Sequence, residues 1–412
     1  MKLKITNENY SAVIVRTKNP RKHNNADKLL CWSVNFNNVI TDLSAQEGLM
    51  VYFPVECKIS HKFLSENSIY KDSEMNNNKE KVGFFEKSGR VKAMRLRGEL
   101  SEGLIMPLSS LSGFCDPSKL KEGDTFNLID GEEVCEKYVP KTNNSGGPVG
   151  GSKAMSIYAF PEGQFSFHKD TSHLVRNMRE FNLDDIISIS YKVHGTSFTS
   201  RRVLKNRKFW KFNLSPKYEL VSSSRNTIKR MDCKKYDLWV EATKTLDPVL
   251  YNGLAIYGEI VGYNVTGGII QSGYDYGCDP NAVGGPFNKI LVYRITYTSP
   301  EGRTIEFSTP QIAEFCLKNG LEMPKVFYSG LVRDYCILRG VDITQDDWRK
   351  DWVLKMKEEF NEKDCFMCKN AVPEEGVVVR KEGLEFKAYK FKSSRFLLTE
   401  TELFDKGVEI LS

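Results

Sequence analysis

The chain has 412 residues, a length that excludes a single small domain and predicts two hydrophobic cores. Apolar residues make up 40% and charged residues 27%, which excludes an intrinsically disordered chain. The net charge of +6 does not by itself identify a nucleic-acid-binding protein, so the positions of the basic residues matter more than their sum.

The first part of the chain, residues 1–138, has short apolar segments separated by turn-rich ones. The predicted strands are Ser11–Arg16, Leu29–Val34, Gly48–Phe53 and Gly103–Pro107. This pattern is typical of a small β-barrel, and the polar segment Asn76–Lys81 is predicted to be a loop. Residues 139–153 are rich in Gly and have little to bury, so they are predicted to be a flexible linker and the domain boundary.

The second part, residues 154–412, mixes strand and helix patterns. The predicted strands are Ile187–Tyr191, Leu254–Tyr257, Ile290–Tyr293, Gly376–Arg380 and Leu384–Tyr389. The predicted helices are Thr309–Asn319 and Gln345–Glu362. These elements predict an α+β domain with mostly antiparallel sheets.

Basic residues and cysteines give weaker signals. Lys and Arg are concentrated in residues 201–211, 225–235 and 380–395, and basic segments on one surface attract a phosphate backbone. For any one segment alone, a solvated lysine-rich face is the simpler explanation. Cys365 and Cys368 form the one compact pair among ten irregularly spaced cysteines. A single CxxC without a second pair at zinc-like spacing is a weak indication of metal, although a distant cysteine such as Cys336 could complete a site. We favour free thiols.

No signal peptide opens the sequence, and no segment reaches the roughly twenty apolar residues of a membrane span. We therefore expect an intracellular protein, cytoplasmic or in another compartment, that is not secreted and has no membrane partner.

Lys192 stands at the end of the predicted strand Ile187–Tyr191, close to Gly195. Glycine allows a nucleotide to approach the backbone closely. A lysine attacks phosphorus only as the neutral amine, a form that burial or nearby cations favour. A Lys-x-x-Gly sequence alone has low specificity, because it usually marks a strand that ends in a turn.

Four further elements follow Lys192 in order. They are Arg225 among small hydroxyl residues, Glu259 at a strand end, Glu375 beside a glycine, and the pair Lys390 and Lys392. The two lysines lie on one face of a strand because side chains alternate with period two. Together these residues could surround a triphosphate.

This ordered set resembles the covalent nucleotidyltransferases, which include DNA ligases, RNA ligases and messenger-RNA capping enzymes, over roughly residues 155–400. The segment Lys192–Phe198 has His194 where other ligases commonly have aspartate, and it looks most like the RNA ligase 2 and RNA-editing ligase branch. The segment Lys390–Phe396 is similar to that branch as well.

The resemblance implies a role for each matching residue. Lys192 would be the adenylated nucleophile, and His194 would contact the α-phosphate or assist strand joining. Arg225 and Glu259 would contact the ribose, Tyr293 would stack on the adenine, and Gly195 would let the nucleotide approach closely. Glu375 with Glu259 would bind Mg²⁺ or Mn²⁺. Lys390 and Lys392 would neutralise the α-phosphate.

Two positions depart from the family pattern, and they weaken the inference of adenine selectivity. Arg294 stands where relatives usually have an acidic residue, and Tyr191 stands where many have a polar residue that reads the base.

Taken one at a time, several of these residues have ordinary explanations. Glu259 and Glu375 could be carboxylates at a sheet edge, His194 a structural histidine and Tyr293 a core residue. The segment Lys205–Lys211, interleaved with aromatic residues, could bind nucleic acid through charge and stacking. An amphipathic strand with a solvated face explains that segment equally well, and both interpretations stay open.

The first part of the chain carries a second resemblance. Residues 24–30 and 96–106 resemble the oligonucleotide-binding (OB) barrel of tRNA-binding modules, and the order of barrel before transferase resembles the RNA ligase 5 type. An OB barrel binds strands through a charged groove, for which Lys92, Arg95 and Arg97 are candidates. A barrel can also act only as a clamp or packing module.

The predicted fold class is therefore α+β, with an amino-terminal OB-like β-barrel followed by a nucleotidyltransferase domain with antiparallel sheets and flanking helices. We predict a monomeric, ATP-dependent RNA ligase that joins 3′-hydroxyl and 5′-phosphate ends of RNA, or a nick in an RNA duplex, through lysyl-AMP and RNA-adenylate.

Three other kinds of protein share part of this pattern. A DNA ligase or a GTP-selecting capping enzyme carries its OB domain after the transferase motifs, where we expect no room in this chain. A non-catalytic protein that binds RNA ends would leave the lysines and carboxylates unexplained.

Overall fold

The computed structural model of the protein describes residues 1–139, 155–168, 170–209, 212–232, 235–281 and 287–406. Residues 140–153 of the predicted linker lie outside this set, as do Trp210 and Lys211.

Two compact units are found: the first holds the described residues up to Val139 with Leu397–Asp405, and the second holds those from Met155 to Phe396. No helix in the described ranges is long and apolar enough to cross a bilayer.

The first unit consists mainly of short strands. In chain order they are β1 (Leu3–Lys4), β2 (Ala12–Thr17), β3 (Arg21–His23), β4 (Ala26–Val34), β5 (Asn37–Asp42), β6 (Gly48–Phe53), β7 (Cys57–Ile59), β8 (Ala93–Leu96), β9 (Glu99–Glu102), β10 (Leu104–Pro107), β11 (Thr125–Phe126), β12 (Leu128–Ile129), β13 (Glu132–Glu133) and β14 (Cys135–Lys137). One helix, α1 (His61–Glu66), begins after Ser60, whose side chain accepts a hydrogen bond from the Phe63 amide.

These strands pair into several small open sheets. The largest has the order β10-β6-β2-β11 and is antiparallel, and β3-β4-β5 form a second sheet. Residues from β2, β6, β11 and α1, such as Ala12, Val51, Phe63 and Phe126, are fully buried in a common core. The four predicted strands are present, but the described strands do not close into a barrel.

The second unit is built on two larger sheets. Its strands are β15 (Ser172–His173), β16 (Ile186–Tyr191), β17 (Thr196–Phe209), β18 (Phe212–Ser223), β19 (Ile228–Lys229), β20 (Leu254–Gly262), β21 (Asn288–Thr298), β22 (Thr304–Glu306), β23 (Val326–Leu331), β24 (Gly376–Lys381) and β25 (Lys387–Lys392). The orders are β15-β25-β24-β16-β23 and β19-β18-β17-β20-β21-β22, antiparallel except for the β15–β25 pair.

Helices flank these sheets. They are α2 (Leu238–Leu246), α3 (Thr309–Asn319), α4 (Val332–Leu338), α5 (Trp348–Phe360) and α6 (Ser394–Asp405), whose last residues belong to the first unit. Helix α3 has the predicted bounds because both of its ends are capped. Ser308, just before the helix, forms a capping box with Gln311 in the first turn, and Gly320, with φ of 64°, ends the helix. The α+β prediction with antiparallel sheets is confirmed for this unit.

Two sequence expectations need correction. Strand β25 begins at Lys387 rather than Leu384, because a bend occupies residues 383–385. Lys92, a candidate for phosphate contact, is enclosed instead, as are Arg201 and Arg380 from two of the basic segments. Lys92 binds Glu86 and Asp405, Arg201 is 3% exposed with its guanidinium over the Phe165 ring, and Arg380 is 5% exposed and donates to the Phe307 carbonyl. Arg95 and Arg97 are exposed.

Candidate active site

A short loop, residues 192–195, connects the two large sheets of the second unit. Strand β16 ends at Tyr191 in the five-stranded sheet, and β17 begins at Thr196 in the six-stranded sheet. The Lys192 amide donates to the Gly376 carbonyl at 2.8 Å, which attaches the loop to the start of β24. Side chains from both sheets can therefore meet at Lys192.

The Lys192 ammonium is bound by a buried carboxylate. Its Nζ lies 2.6 Å from Oε1 of Glu375, whose side chain is 4% exposed, and Nδ1 of His194 lies 3.6 Å from Oε2 of the same group. Burial raises the pKa of Glu375, but Lys192, His194 and Lys392 outweigh it and lower the pKa below its ordinary value. Glu375 is therefore an anion at physiological pH.

His194 is held as a neutral ring. Burial lowers its pKa to about 4, even though Glu375 acts in the opposite direction. The ring packs edge to face on Tyr274 and Phe396, with centroid distances of 4.8 and 4.9 Å. A neutral imidazole in this position can donate or accept a hydrogen bond without adding charge.

Glu259 lies on β20, opposite Ser197 of β17. Burial raises its pKa to about 8, and nearby Glu375 adds to this, whereas Lys192 and Arg225 lower it. Among the described residues, Oε2 of Glu259 and Oε2 of Glu375 are buried with no hydrogen-bond partner. Buried carboxylate oxygens rarely stay unsatisfied, and oxygen ligands of this kind suit Mg²⁺ or Mn²⁺. The pair therefore fits a divalent cation.

We expect the stability of Glu259→Gln, relative to wild type, to increase as pH rises. The folded carboxyl keeps its proton up to about pH 8, whereas the ordinary value is 4.5, so between these values the folded state binds more protons and its stability falls with increasing pH. Glutamine does not titrate and escapes this loss. In thermal unfolding, the melting temperature of the variant minus that of wild type should be a few degrees larger at pH 9 than at pH 5.

The control for this prediction is Glu314→Gln, at an exposed position of α3. It should change the melting temperature equally little at both pH values. A Glu259→Gln effect that is the same at pH 5 and pH 9 would contradict the assignment of a raised pKa.

Two further cations, Arg225 and Lys392, act on these carboxylates, and Lys390 lies two residues before Lys392 on the same strand. Arg225 pairs with Asp170, and its charge acts on both Glu259 and His168. Lys390 and Lys392 face Val378 and Gly376 across β24 and β25, and Lys390 is 8% exposed. The charge of Lys392 acts on Glu375 and His194. The structure thus brings Lys392 close to Glu375, as the ordered motif residues led us to expect.

Tyr293 lies at an irregularity in the six-stranded sheet. The β20–β21 register shifts between Tyr257 and Gly258, which leaves Tyr293 as the extra residue of a β-bulge. A bulge redirects a side chain and often occurs beside an active site. The Tyr293 ring is 5.5 Å from the ring of His168, and burial lowers the pKa of His168 to about 3, helped by Arg294.

The two positions that depart from the family pattern have structural partners. Arg294 pairs with Glu306 and contacts Nδ1 of His168 at 3.0 Å. Tyr191 is 1% exposed, and its hydroxyl donates to Sγ of Cys365 at 3.0 Å. The Tyr191 side chain is therefore engaged in the interior rather than presented to a base.

Sequence reasoning missed the residues that hold the loop 192–195. The Tyr276 hydroxyl accepts the His194 amide at 2.7 Å, and the Gln271 side chain donates to the Gly195 carbonyl at 2.7 Å. Tyr276 has a φ of 50°, a conformation that is strained for a bulky residue. The only sequence signal was an aromatic and glycine-rich segment, 273–277, between two motifs.

Gly195→Ala is expected to disable the loop. A Cβ there would lie 2.7 Å from the Ile260 carbonyl oxygen and 2.8 Å from Cγ1 of Val261, so the loop or β20 must move. Displacement of a reacting group by about 1 Å can cost roughly 10²-fold in rate, and we expect a loss of this size in nucleotide transfer to Lys192. The control is Gly383→Ala, which meets no atom within 4 Å and should keep full activity.

Comparisons with known proteins identify the family and a similar fold. The RNA ligase family model matches residues 185–396, a little over half of the 412. The structure of a Naegleria gruberi RNA ligase mutant with AMP and Mn is 15% identical, with a TM-score of 0.57, and the match covers 95% of this chain and 99% of that chain. A mutant of the same ligase with ATP and Mn is 14% identical, with a TM-score of 0.56, and covers 96% and 100%. At this identity the likeness shows the fold. The curated proteins include no significant match.

Proposed function

Because this chain belongs to the RNA ligase family, we propose that it uses ATP to join RNA ends through an AMP adduct on Lys192. The observation that carries the proposal is the position of Lys192. It lies in the loop that connects the two sheets of the second unit, and its Nζ is 2.6 Å from the buried Glu375 carboxylate. The choice of ATP is supported by the Naegleria gruberi enzyme of similar fold, whose structures contain ATP or AMP with Mn.

The proposed reaction has three displacements at phosphorus. Nζ of Lys192 attacks the α-phosphorus of ATP and pyrophosphate leaves. An oxygen of the RNA 5′-phosphate then attacks the lysyl-AMP phosphorus and releases the lysine. Finally the 3′-hydroxyl attacks the 5′-phosphorus and AMP leaves. Each step spreads negative charge over phosphoryl oxygens, so positioned cations provide most of the catalysis.

The residues around Lys192 divide this work. Lys390 and Lys392 neutralise the α-phosphate, and the neutral His194 contacts it by a hydrogen bond. Arg225 and Glu259 hold the ribose, and Tyr293 stacks on the adenine. The Tyr293 ring is also in contact with the ring of His168. Gly195, which has no Cβ, leaves the backbone open to the nucleotide.

A divalent cation would be held by Glu375 and Glu259, whose partnerless buried oxygens among the described residues support this assignment. When bound, Mg²⁺ or Mn²⁺ supplies charge neutralisation for the phosphates. Glu375 itself keeps Nζ in place through the ion pair.

The first unit is proposed to be an OB-like module that binds nucleic acid, on the strength of the sequence resemblance of residues 24–30 and 96–106 and the exposure of Arg95 and Arg97. We propose domains at 1–138 and 154–412 joined by a linker at 139–153, and a monomer that acts inside the cell.

The test is a joining assay on matched substrates. The purified chain, with ATP and Mg²⁺ or Mn²⁺, should seal a nicked RNA duplex with a labelled 5′-phosphate and should seal the equivalent DNA nick more slowly. Equal or faster sealing of the DNA nick would point to a DNA ligase. Transfer of GMP rather than AMP to the protein would indicate a capping-type enzyme, and no transfer of either would leave an RNA-end-binding protein.

A further inference from the structure

The Cys365-Phe366-Met367-Cys368 segment forms a tight turn. The Cys368 amide donates to the Cys365 carbonyl at 3.3 Å, and the Cys365 amide donates to the Val372 carbonyl at 2.8 Å. A turn closed in this way brings the first and fourth Cα atoms within about 7 Å, the range in which a disulfide can form without large backbone movement. The Cys368 thiol is near enough to the Cys365 sulfur to lower the pKa of Cys365.

The two thiols differ in character. Cys365 is buried, and its pKa is lowered because the Cys368 thiol donates to its sulfur, against the effect of burial, and because the Tyr191 hydroxyl also donates to it. Cys368 is half-buried, and its pKa is raised because its proton is held in the bond to Cys365. Cys365 therefore carries the more readily ionised thiol, and Cys368 carries the more accessible one.

This turn also contacts the supports of the loop 192–195. The Tyr191 hydroxyl binds Cys365, and Tyr191 directly precedes Lys192 in the chain. The amides of Lys369 and Asn370, which follow the turn, donate to Asp275 at 2.9 to 3.1 Å. The residue after Asp275 is Tyr276, whose hydroxyl accepts the His194 amide. A change at the turn can therefore reach both ends of the Lys192–His194 segment.

We infer that Cys365 and Cys368 form a redox-active dithiol, which a hydroperoxide converts into a reversible intramolecular disulfide that slows AMP transfer to Lys192. A metal site is the competing use of two cysteines. In the described ranges, the one group of three metal-ligating side chains is His23, Cys31 and Glu99 in the first unit, so these two sulfurs have no third ligand there. The effect on AMP transfer rests on the proposed function, whereas formation of the disulfide does not.

The oxidation balances with hydrogen peroxide as the oxidant. The Cys365 thiolate attacks one peroxide oxygen, the O–O bond breaks, and hydroxide takes up a proton and leaves as water. The Cys368 sulfur then attacks the sulfur of the resulting sulfenic acid, the S–O bond breaks, and the released hydroxide leaves as water with the Cys368 proton. Two electrons pass from the sulfurs to the peroxide, and a dithiol reductant restores both thiols by exchange.

The disulfide is tested first, without reference to activity. The full-length protein is reduced, treated with hydrogen peroxide and alkylated, and its cysteine pairing is mapped by peptide mass. We expect a linked Cys365–Cys368 peptide, lighter by two hydrogen atoms, that disappears on reduction. Cys368→Ser should not form it, and Cys115→Ser, which removes a half-buried thiol of the first unit, should form it normally. If peroxide leaves both thiols free for alkylation, the proposal is wrong.

The coupling is tested by single-turnover AMP transfer to the same samples. We expect the oxidised wild type to transfer AMP roughly tenfold more slowly and to recover on reduction, since small displacements of a reacting group lower the rate. Peroxide-treated Cys368→Ser should not show this reversible loss. A mapped disulfide with an unchanged rate would refute the coupling. If reduced wild type transfers no AMP at all, the ligase proposal fails, while the peptide map still decides whether the dithiol exists.

Discussion

Lys192→Ala is expected to abolish AMP transfer to the protein and therefore all joining of RNA ends that start with a 5′-phosphate. Alanine has no nucleophile, and the Lys192 amine is the one bonded to Glu375, in a loop attached to Gly376. The rate of adduct formation should fall by at least roughly 10³-fold. Intact mass before and after incubation with ATP and Mg²⁺ or Mn²⁺ measures this directly.

The matched control for Lys192→Ala is Lys205→Ala. Lys205 lies in the basic stretch of β17 and pairs with Glu219 at 2.8 Å, away from the carboxylates of the site. It should form the adduct at the wild-type rate. An AMP adduct of normal yield on Lys192→Ala would show that another residue is the nucleophile and would remove the basis of the proposed mechanism.

Glu375→Gln is expected to have the next largest effect. The substitution keeps the shape of the side chain but removes the charge that holds Nζ of Lys192 and that acts on His194 and Lys392. Loss of one preorganised charged contact at a phosphoryl-transfer site typically costs roughly 10²-fold or more, and we expect this loss in adduct formation. The concentration of Mg²⁺ or Mn²⁺ needed for half-maximal rate should also rise, because an anionic ligand is lost.

Glu374→Gln is the control for Glu375→Gln, because it removes a neighbouring buried carboxyl. Glu374 is 2% exposed, and burial raises its pKa to about 7. The charges that act on Glu374 are those of Lys363, Cys365, Glu359 and Lys325 rather than Lys192 or His194, so adduct formation should change little. Equal losses in the two variants would mean that burial of a carboxyl, rather than the Lys192 contact, determines activity.

Local patterns predicted the parts of the fold that depend on neighbouring residues. Helix α3 was predicted with its observed bounds, because its capping box and its terminal glycine are both encoded within a few residues of its ends. The strand before Lys192 was predicted from an apolar run that is buried from Ile187 to Ile189. The family match confirms the RNA ligase resemblance that the ordered motifs indicated.

Tertiary contacts determined what the sequence could not predict. Lys92, Arg201 and Arg380 looked like surface charge, but a charge count cannot reveal that carboxylates, an aromatic ring or a carbonyl from distant residues enclose them. Tyr276 and His168 lie in segments without helical or strand periodicity, so their contacts with His194 and Tyr293 had no local signal. The roles of the motif residues in catalysis stay predictions until the variants above are measured.

The discontinuous first unit has a consequence for the order of folding during synthesis. Its last segment, Leu397–Asp405, supplies the Phe404 ring that packs on the Arg90 guanidinium and the Asp405 carboxylate that binds Lys92. A ribosome releases this segment only after residues 155–396 of the second unit have been made. The first unit is therefore begun before them and completed after them, and until then Arg90 and Lys92 lack these two partners on the nascent chain.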